Sequence, residues 1–306
     1  MRNALIAILV SCAVALAQPS SPQQAPSAVD ATIGHVPSAD SQLDPHEIVR
    51  RSLEVDHHNF ERARNYTCRQ REVSKEVDKH GAVKSTKITT FDVNFYYGEL
   101  YSRMIQKNDQ PLSASDQKKE DEKLEKFLSK LRNQSDEERQ RRLAKEKKER
   151  EEERAFLRDV VNAYDFKLLG EEPVNGVDAW VIEATPRKGF HPTQPHADML
   201  SKIKGRIWIE KTDYNWVKVD AESIDTMSFG LFFFRIHKGA HLAFEQVHLN
   251  DEVWLIHKLF ISGGARIALL KNESIEQEDE FTNYQKFSSS TRILPGVREV
   301  PADPPK

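Results

Sequence analysis

Four histidines lie close together in the C-terminal half of the chain and are the first candidates for chemistry. They are His237, His241, His248 and His257. A zinc site of the zincin type needs two histidines four residues apart on one helix, with a glutamate in the order His-Glu-x-x-His. These histidines fall instead on consecutive strand and turn segments without that glutamate. We interpret them, like His57 and His58, as ordinary polar positions and predict no metal site.

The usual motifs of nucleophilic and phosphate chemistry are also missing from the sequence. Residues Ser201 to Lys204 have the Ser-x-x-Lys spacing of penicillin-binding proteins but lack the companion motifs of that class. The chain has no Gly-x-Ser-x-Gly elbow, phosphate loop or dinucleotide fingerprint. A hydrolase or metalloenzyme would need polar groups that converge in a pocket, which the sequence does not display. We therefore predict a protein that is not an enzyme and binds no cofactor.

The remaining reactive side chains have simpler structural interpretations. The carboxylates of Glu171-Glu172 and of Glu278, Asp279 and Glu280 lie in turns and charged strands, where a solvated surface explains them more simply than acid-base catalysis. The thiol of Cys68 is interpreted as an inert buried side chain.

The strands from Phe229 onward are apolar on both faces. Phe229 to Phe234 contains one glycine and five large apolar residues. Val253 to Phe260 has large apolar residues at both odd and even positions, which face opposite sides of a strand. A sheet with one solvated face would alternate, so both faces must be covered. Either they form an ordinary core or one face lines an apolar cavity for a lipid or small molecule. The residues that we expect near such a cavity are Trp180, Trp208, Phe229, Leu231, Phe233 and Trp254.

Residues 1–17 have the features of a cleavable signal peptide. An apolar run extends from Ala4 to Ala17 and ends in the small-x-small pattern Ala15-Leu16-Ala17. The run is shorter than the roughly 20 residues that a membrane-spanning helix needs. Leu9-Val10-Ser11-Cys12 also fits the lipobox of a bacterial lipoprotein, although the apolar run continues past the cysteine. We predict a periplasmic or secreted protein, with lipid anchoring through Cys12 as the alternative.

The rest of the chain alternates between strand-like and helical segments. An amphipathic helix is predicted from Asp44, and about eleven short strands follow, separated by turn signals such as Asn175-Gly176. Between residues 113 and 163 the composition becomes highly charged, with an apolar stripe at helical spacing. This pattern predicts a closed or strongly curved antiparallel sheet interrupted by a helical insertion.

One predicted hairpin carries a family resemblance. Gly205-Arg206-Ile207-Trp208-Ile209-Glu210-Lys211-Thr212, followed by Trp216-Val217-Lys218-Val219-Asp220-Ala221-Glu222, resembles the LolA/LolB superfamily of periplasmic lipoprotein carriers. The predicted signal peptide, the first helix and the series of strands also resemble this superfamily. The resemblance implies an unclosed half-barrel sheet that wraps over helices and receives acyl chains in a hydrophobic cavity. The charged helix is longer than the pattern expected of that family.

Together these observations predict an α+β fold, a curved antiparallel half-barrel of about eleven strands that covers helices and carries a long charged helical insertion. The expected organisation is a signal peptide over 1–17, a disordered linker over 18–43, a LolA-like half-barrel over 44–292 with the insertion at 113–163, and a disordered tail over 293–306.

Two functional hypotheses follow, and neither is enzymatic. The first is an exported protein that binds a hydrophobic ligand, a lipid or a lipoprotein acyl chain, in the concave face of the half-barrel. The alternative is a cell-envelope interaction protein with a filled cavity, which uses the charged helix over 135–154 as its partner surface. A net charge of −3 gives no electrostatic argument for nucleic acid as a partner. After residue 17 no segment is apolar for long enough to span a bilayer, so we expect peripheral membrane contact at most.

Overall fold

The computed structural model describes residues 44–78, 80–194, 197–229, 234–267 and 271–287. The predicted signal peptide with Cys12, the linker and the C-terminal tail lie outside these residues. The helices are α1 (Pro45–Ala63), α2 (Ala114–Arg132), α3 (Asp136–Ala163) and a short 3₁₀ helix (Ala197–Lys202). The strands are β1 (Tyr66–Val77), β2 (Val83–Tyr96), β3 (Glu99–Lys107), β4 (Gln110–Pro111), β5 (Tyr164–Val174), β6 (Val177–Pro186), β7 (Ile203–Glu210), β8 (Trp216–Ser223), β9 (Met227–Phe229), β10 (Phe234–Ile236), β11 (His241–Leu249), β12 (Val253–Ile267) and β13 (Lys271–Lys286).

The described strands form one open antiparallel sheet. Its order is β4-β3-β2-β1-β13-β12-β11-β8-β7-β6-β5, and the short β9 and β10 extend it beside β12. At the β5–β6 turn, the side-chain amide of Asn175 donates a hydrogen bond to the Gln246 carbonyl oxygen of β11 (3.2 Å). A flat sheet would hold β6 and β11 about 14 Å apart, so this sheet is strongly curved. The predicted α+β half-barrel with a helical insertion is confirmed, with thirteen strands among the described residues.

The charged insertion consists of α2 and α3. Helix α3 begins with a complete capping box, in which the side chains of Ser135 and Glu138 satisfy each other's backbone N–H groups. Helix α2 buries Leu124, and its Phe127 ring packs 4.7 Å from the ring of Tyr101 in β3. The insertion follows β4, packs on β3 and returns to the sheet at β5.

Helix α1 lies across the strands of one half of the sheet. Near its start the His46 ring lies 5.9 Å from the Phe166 ring of β5. Near its end the side chain of Asn59 donates to the backbone oxygen of Trp254 (2.7 Å) and accepts from the backbone nitrogen (2.6 Å) in β12. A helix of this length spans about 28 Å, close to the roughly 24 Å from β5 to β12. The helix is therefore long enough to cover six strands.

We call the face of the sheet that carries α1 the inner face. Ile48 and Val49 of α1 are buried there in an apolar cluster with Trp180, Ile182, Ile207, Ile209, Val219, Phe244 and Leu259. A second cluster places Leu157 and Val160 of α3 over Ala184 and the 3₁₀ helix. From β5 to β12 the inner face is thus filled by helices.

Candidate functional site

The inner face continues beyond α1 onto β13, β1, β2 and β3. One row of directly paired residues crosses ten strands from β5 to β3: Leu168, Ile182, Ile207, Val219, Phe244, Leu259, Asp279, Glu72, Thr89 and Lys107. Directly paired residues of an antiparallel sheet point to the same side, so all ten belong to the inner face. The row changes from apolar to polar where β12 meets β13.

Helices α1 and α2 have their main contacts outside this second half of the inner face. Helix α1 packs on β5, β7 and β12. Helix α2 packs on β3 from the other side, because Tyr101 pairs with Asn94 and therefore faces away from Phe91 and Val93. We call the inner face of β1, β2, β3 and β13 the open wing. Several of its side chains are buried within the chain itself, whereas Leu100 at its edge is exposed.

Apolar side chains line the β2–β3 side of the open wing. Phe91, Val93 and Phe95 alternate along β2 on the inner face, and Leu100 pairs directly with Phe95. The Leu100 side chain is 56% exposed, whereas Val93 is buried. An apolar surface therefore runs from the solvent at Leu100 into the interior of the sheet.

A group of buried and half-buried polar residues, which we call the polar patch, lies at the inner end of this surface. It consists of Gln70, Glu72, Thr89, Gln277 and Asp279. Asp279 is 2% exposed and accepts hydrogen bonds from the side-chain amides of Gln70 (2.8 Å) and Gln277 (2.7 Å). Glu72 pairs directly with Asp279 on one side and with Thr89 on the other. Thr89 is fully buried, and its hydroxyl has no hydrogen-bond partner.

Burial raises the pKa of the Asp279 carboxyl above its ordinary value, against the opposing effect of the hydrogen bonds from Gln277 and Gln70. Between the ordinary pKa and the raised one, the folded protein holds a proton that the unfolded chain has lost. The folded state then binds more protons, so this group makes the free energy of unfolding fall as pH rises through that window.

An Asp279→Asn variant should therefore gain stability relative to the wild type as pH rises from the ordinary value of 3.8. The measurement is urea unfolding of both proteins across pH 3 to 8. Glu278→Gln removes one negative charge from an exposed position on the opposite face and is the matched control. A stability difference between Asp279→Asn and wild type that does not change with pH would contradict the prediction.

The structure separates the three tryptophans that we expected to share one cavity. Trp180 belongs to the inner cluster under α1, and its indole N–H is buried without a partner. Trp208 and Trp254 lie together on the outer face, in a cluster with Val181 and Val217. We expected from the sequence that all three rings line one cavity. That expectation is wrong, because Trp180 lies on the opposite face of the sheet from Trp208 and Trp254.

The two outer tryptophans are held by polar partners. The Trp208 indole donates to a Glu172 carboxylate oxygen (2.9 Å), and the Trp254 indole donates to Asp213 (2.8 Å). The His248 ring stacks on Trp254 at 4.7 Å. These contacts fix both rings within the protein.

The other three expected site residues come from the phenylalanine-rich segment. Phe229 ends β9, where its backbone pairs with Phe234 of β10. Leu231 and Phe233 lie outside the described residues. A ligand-binding role for the six expected residues stays a prediction.

The reactive side chains singled out in the sequence have separate contacts. The His241 ring lies 2.8 Å from an Asp220 carboxylate oxygen, and His257 contacts the Phe281 carbonyl oxygen. The Ser201 hydroxyl donates a hydrogen bond to the Asp198 carbonyl oxygen (2.7 Å), so its partner is the backbone and not the side chain of Lys204. Within the described ranges no three His, Cys, Asp or Glu side chains are grouped so that they could hold a metal ion.

Burial raises the pKa of the Cys68 thiol to about 12. A thiol reacts as the thiolate, so this side chain is protonated and inert at neutral pH. Among the described helices, none has the length and apolarity to cross a membrane.

The sequence interpretation missed the polar patch. Glu278, Asp279 and Glu280 were assigned together to a solvated surface, but in β13 Asp279 is buried while its two neighbours are exposed. The alternation of side chains along a strand could have revealed the patch, because Gln277, Asp279 and Phe281 point to the same face of the sheet. The sequence interpretation overlooked this alternation, since three adjacent carboxylates suggest that both faces of the strand are in solvent.

No family model matches the chain, and no curated protein matches it. Solved structures similar to it include a putative outer membrane lipoprotein-sorting protein domain from Vibrio parahaemolyticus, at 13% identity and a TM-score of 0.30, over 80% of this chain and 95% of that one. A DUF1329 family protein from Desulfovibrio piger has 13% identity and a TM-score of 0.28, over 81% and 93%. A LolA superfamily protein from Nitrosomonas europaea has 10% identity and a TM-score of 0.25, over 82% and 94%. TM-scores this low mean that the structures superpose only loosely. The half-barrel is therefore described from the strand order of this chain.

Proposed function

We propose that the chain is an exported, non-enzymatic protein that binds a hydrophobic ligand, a lipid or a lipoprotein acyl chain, on the inner face of its half-barrel. The observation that carries the proposal is the apolar part of the open wing, which lies outside the main contacts of α1 and α2 and reaches the solvent at Leu100. Phe91, Val93, Phe95 and Leu100 supply the contact surface on β2 and β3.

The shape of this surface favours a long apolar chain over a compact ligand. Four side chains follow one another along two paired strands, and the Leu100 end is open to solvent. The half of the inner face under α1 is filled, which restricts the ligand to the open wing. A role of Trp180, Phe229, Leu231 and Phe233 in ligand binding stays a prediction, which the same experiment tests.

Lipid should co-purify with the mature protein from the envelope of its own host, and Leu100→Asp should reduce the bound amount by about tenfold or more. Burial of one leucine side chain contributes about 1.5–3 kcal/mol, and 1.4 kcal/mol corresponds to a tenfold change in affinity. The measurement is native mass spectrometry combined with lipid extraction. The intact mass also tests export, since cleavage after Ala17 and acylation at Cys12 give different masses.

Tyr97→Asp is the matched control for Leu100→Asp. Tyr97 is 54% exposed and lies in the turn between β2 and β3 at a positive φ that aspartate tolerates. The control should keep its lipid, and Phe95→Asp should lose it. A protein that is empty in every preparation, or equal lipid in Leu100→Asp and Tyr97→Asp, would reject the proposal.

The second candidate function is a cell-envelope interaction through α3, over residues 135–154. One observation favours it: Leu143 is 39% exposed among charged residues on this helix. Ion pairs join this helix to β3, from Arg142 to Glu99 (2.8 Å), and to the α1–β1 turn, from Glu146 to Arg64 (3.4 Å). An empty protein that captures an envelope protein through α3, and loses it in Leu143→Asp, would favour this candidate.

A further inference from the structure

Three exposed apolar side chains lie around one ion pair between α3 and β3. The large apolar residues that are exposed within the described ranges are Val83, Tyr97, Leu100, Leu143 and Leu169. The Arg142 guanidinium lies 2.8 Å from the Glu99 carboxylate. Tyr97 and Leu100 are within two residues of Glu99, and Leu143 directly follows Arg142. The ion pair therefore brings three of these five side chains to one region of the surface.

The stretch of α3 around Leu143 is strongly basic. Residues 139–148 contain six basic side chains and a single carboxylate, Glu146, which gives a net charge of +5 in a chain whose total is −3. Five of the six basic residues are exposed, and Arg142 is half-buried at Glu99. The Glu146 carboxylate lies 3.4 Å from the Arg64 guanidinium, which brings a further positive charge to the same region. The exposed apolar side chains are thus bordered by cations.

The ion pairs that these cations form along α3 are exposed. They join residues about one helical turn apart, Glu137 with Arg141 (2.6 Å), Lys145 with Glu149 (3.6 Å) and Lys148 with Glu152 (3.5 Å). Exposed pairs of this kind add little to stability and are screened by salt. The cations can therefore turn from these carboxylates to the phosphates of a partner at little cost to the helix.

A bilayer of anionic phospholipid fits both features of this region. Its phosphates attract lysine and arginine side chains, and the boundary between its head groups and acyl chains accommodates exposed leucine and tyrosine side chains. A nucleic acid offers phosphates but no apolar layer. A protein would need an acidic surface with pockets matched to three separate apolar side chains, whereas a fluid bilayer adapts to them.

We propose that the β2–β3 turn and residues 139–148 of α3 form a docking surface for an anionic phospholipid bilayer, with Tyr97, Leu100 and Leu143 inserted among the lipid head groups. Docking requires no ligand in the half-barrel, and so goes beyond the proposed function. It would hold the solvent end of the apolar surface, at Leu100, against the bilayer.

The test is sedimentation of the purified mature protein with vesicles of phosphatidylcholine that contain phosphatidylglycerol, or with vesicles of phosphatidylcholine alone. Wild type should bind the anionic vesicles, and its affinity should fall as the NaCl concentration is raised. The double variant Arg139→Gln with Lys147→Gln should bind them about 25-fold more weakly, about fivefold for each charge removed. The matched control is Lys118→Gln with Lys167→Gln, which removes two exposed lysines on α2 and β5 and should bind as wild type.

The apolar part of the docking surface has its own matched pair of variants. Leu143→Asp should weaken binding to anionic vesicles about tenfold, because it removes an apolar contact and adds a charge that the lipid repels. Leu169→Asp should not, since this leucine is similarly exposed (42%) but lies on β5, at the other edge of the sheet. Tyr97→Asp should weaken vesicle binding and keep its co-purified lipid, which separates docking from the ligand site.

Equal binding of wild type to both kinds of vesicle, or equal binding of Leu143→Asp and Leu169→Asp, would overturn the inference and leave the proposed function standing. Capture of an envelope protein by α3, with no binding to either kind of vesicle, would overturn it in favour of the second candidate function. If lipid is absent from every preparation but anionic vesicles are still bound, the proposed function fails and the docking surface stands.

Discussion

A Val49→Asp variant is expected to unfold at a much lower urea concentration than the wild type at room temperature. Val49 is fully buried in the inner cluster, between α1 and the strands from β6 to β12. The substitution removes apolar contacts and places a carboxylate where no water reaches it, at a cost of about 4 kcal/mol or more. Because domains of this size are stable by only about 5–15 kcal/mol, that loss removes much of the margin. The measurement is urea unfolding followed by tryptophan fluorescence.

The neighbouring Arg50 provides the control. Its side chain is exposed on the same turn of α1 and pairs with Glu47 (2.7 Å) and Glu54 (2.5 Å). Exposed ion pairs of this kind contribute about 0–1 kcal/mol each, so Arg50→Ala should change stability little. If Val49→Asp instead leaves the sheet folded and frees only α1, then α1 is a displaceable cover. The ligand surface would in that case extend from the open wing to β5.

The sequence predicted the class of the fold because strand and helix periods are local signals. The charged composition and the apolar stripe over 113–163 predicted the helical insertion, and turn residues such as Asn175-Gly176 predicted the hairpins. Strand boundaries are harder to predict than strand number. The turn between β2 and β3 forms at Tyr97-Gly98, where both residues have positive φ. The aromatic run continues through that turn and hid it.

The facing of the tryptophans could not be predicted in the same way. A shift of one residue in strand register moves a side chain to the opposite face. The β7–β8 pairing shifts between Trp208 and Ile209, and the β11–β12 pairing shifts beside Gln246. Such irregularities depend on contacts between distant strands, which one sequence does not reveal. The polar patch depends on the same long-range pairing, since β1 and β13 lie at opposite ends of the chain.

A Gly205→Ala variant is expected to lower the free energy of unfolding by about 3 kcal/mol, because overpacking against backbone has no easy relief. A methyl group at Gly205 would lie 2.9 Å from the Cα atom of Ala221 on β8 and close to the Asp220 carbonyl oxygen. Gly205 pairs with Ala184 and Ala221, so the hairpin that resembles the LolA/LolB pattern depends on small residues at this crossing.

The comparison that isolates this steric effect is Gly239→Ala. Gly239 has a positive φ of 85° and no atom near the position of a new methyl group, so alanine there costs backbone strain alone, about 1 kcal/mol. The double variant Gly205→Ala with Ala221→Gly should recover little stability, since the obstructing atoms belong to the β8 backbone. Urea unfolding of the three variants measures these differences. Full recovery in the double variant would show that the two side chains, not the approach of the β7 and β8 backbones, require glycine at this position.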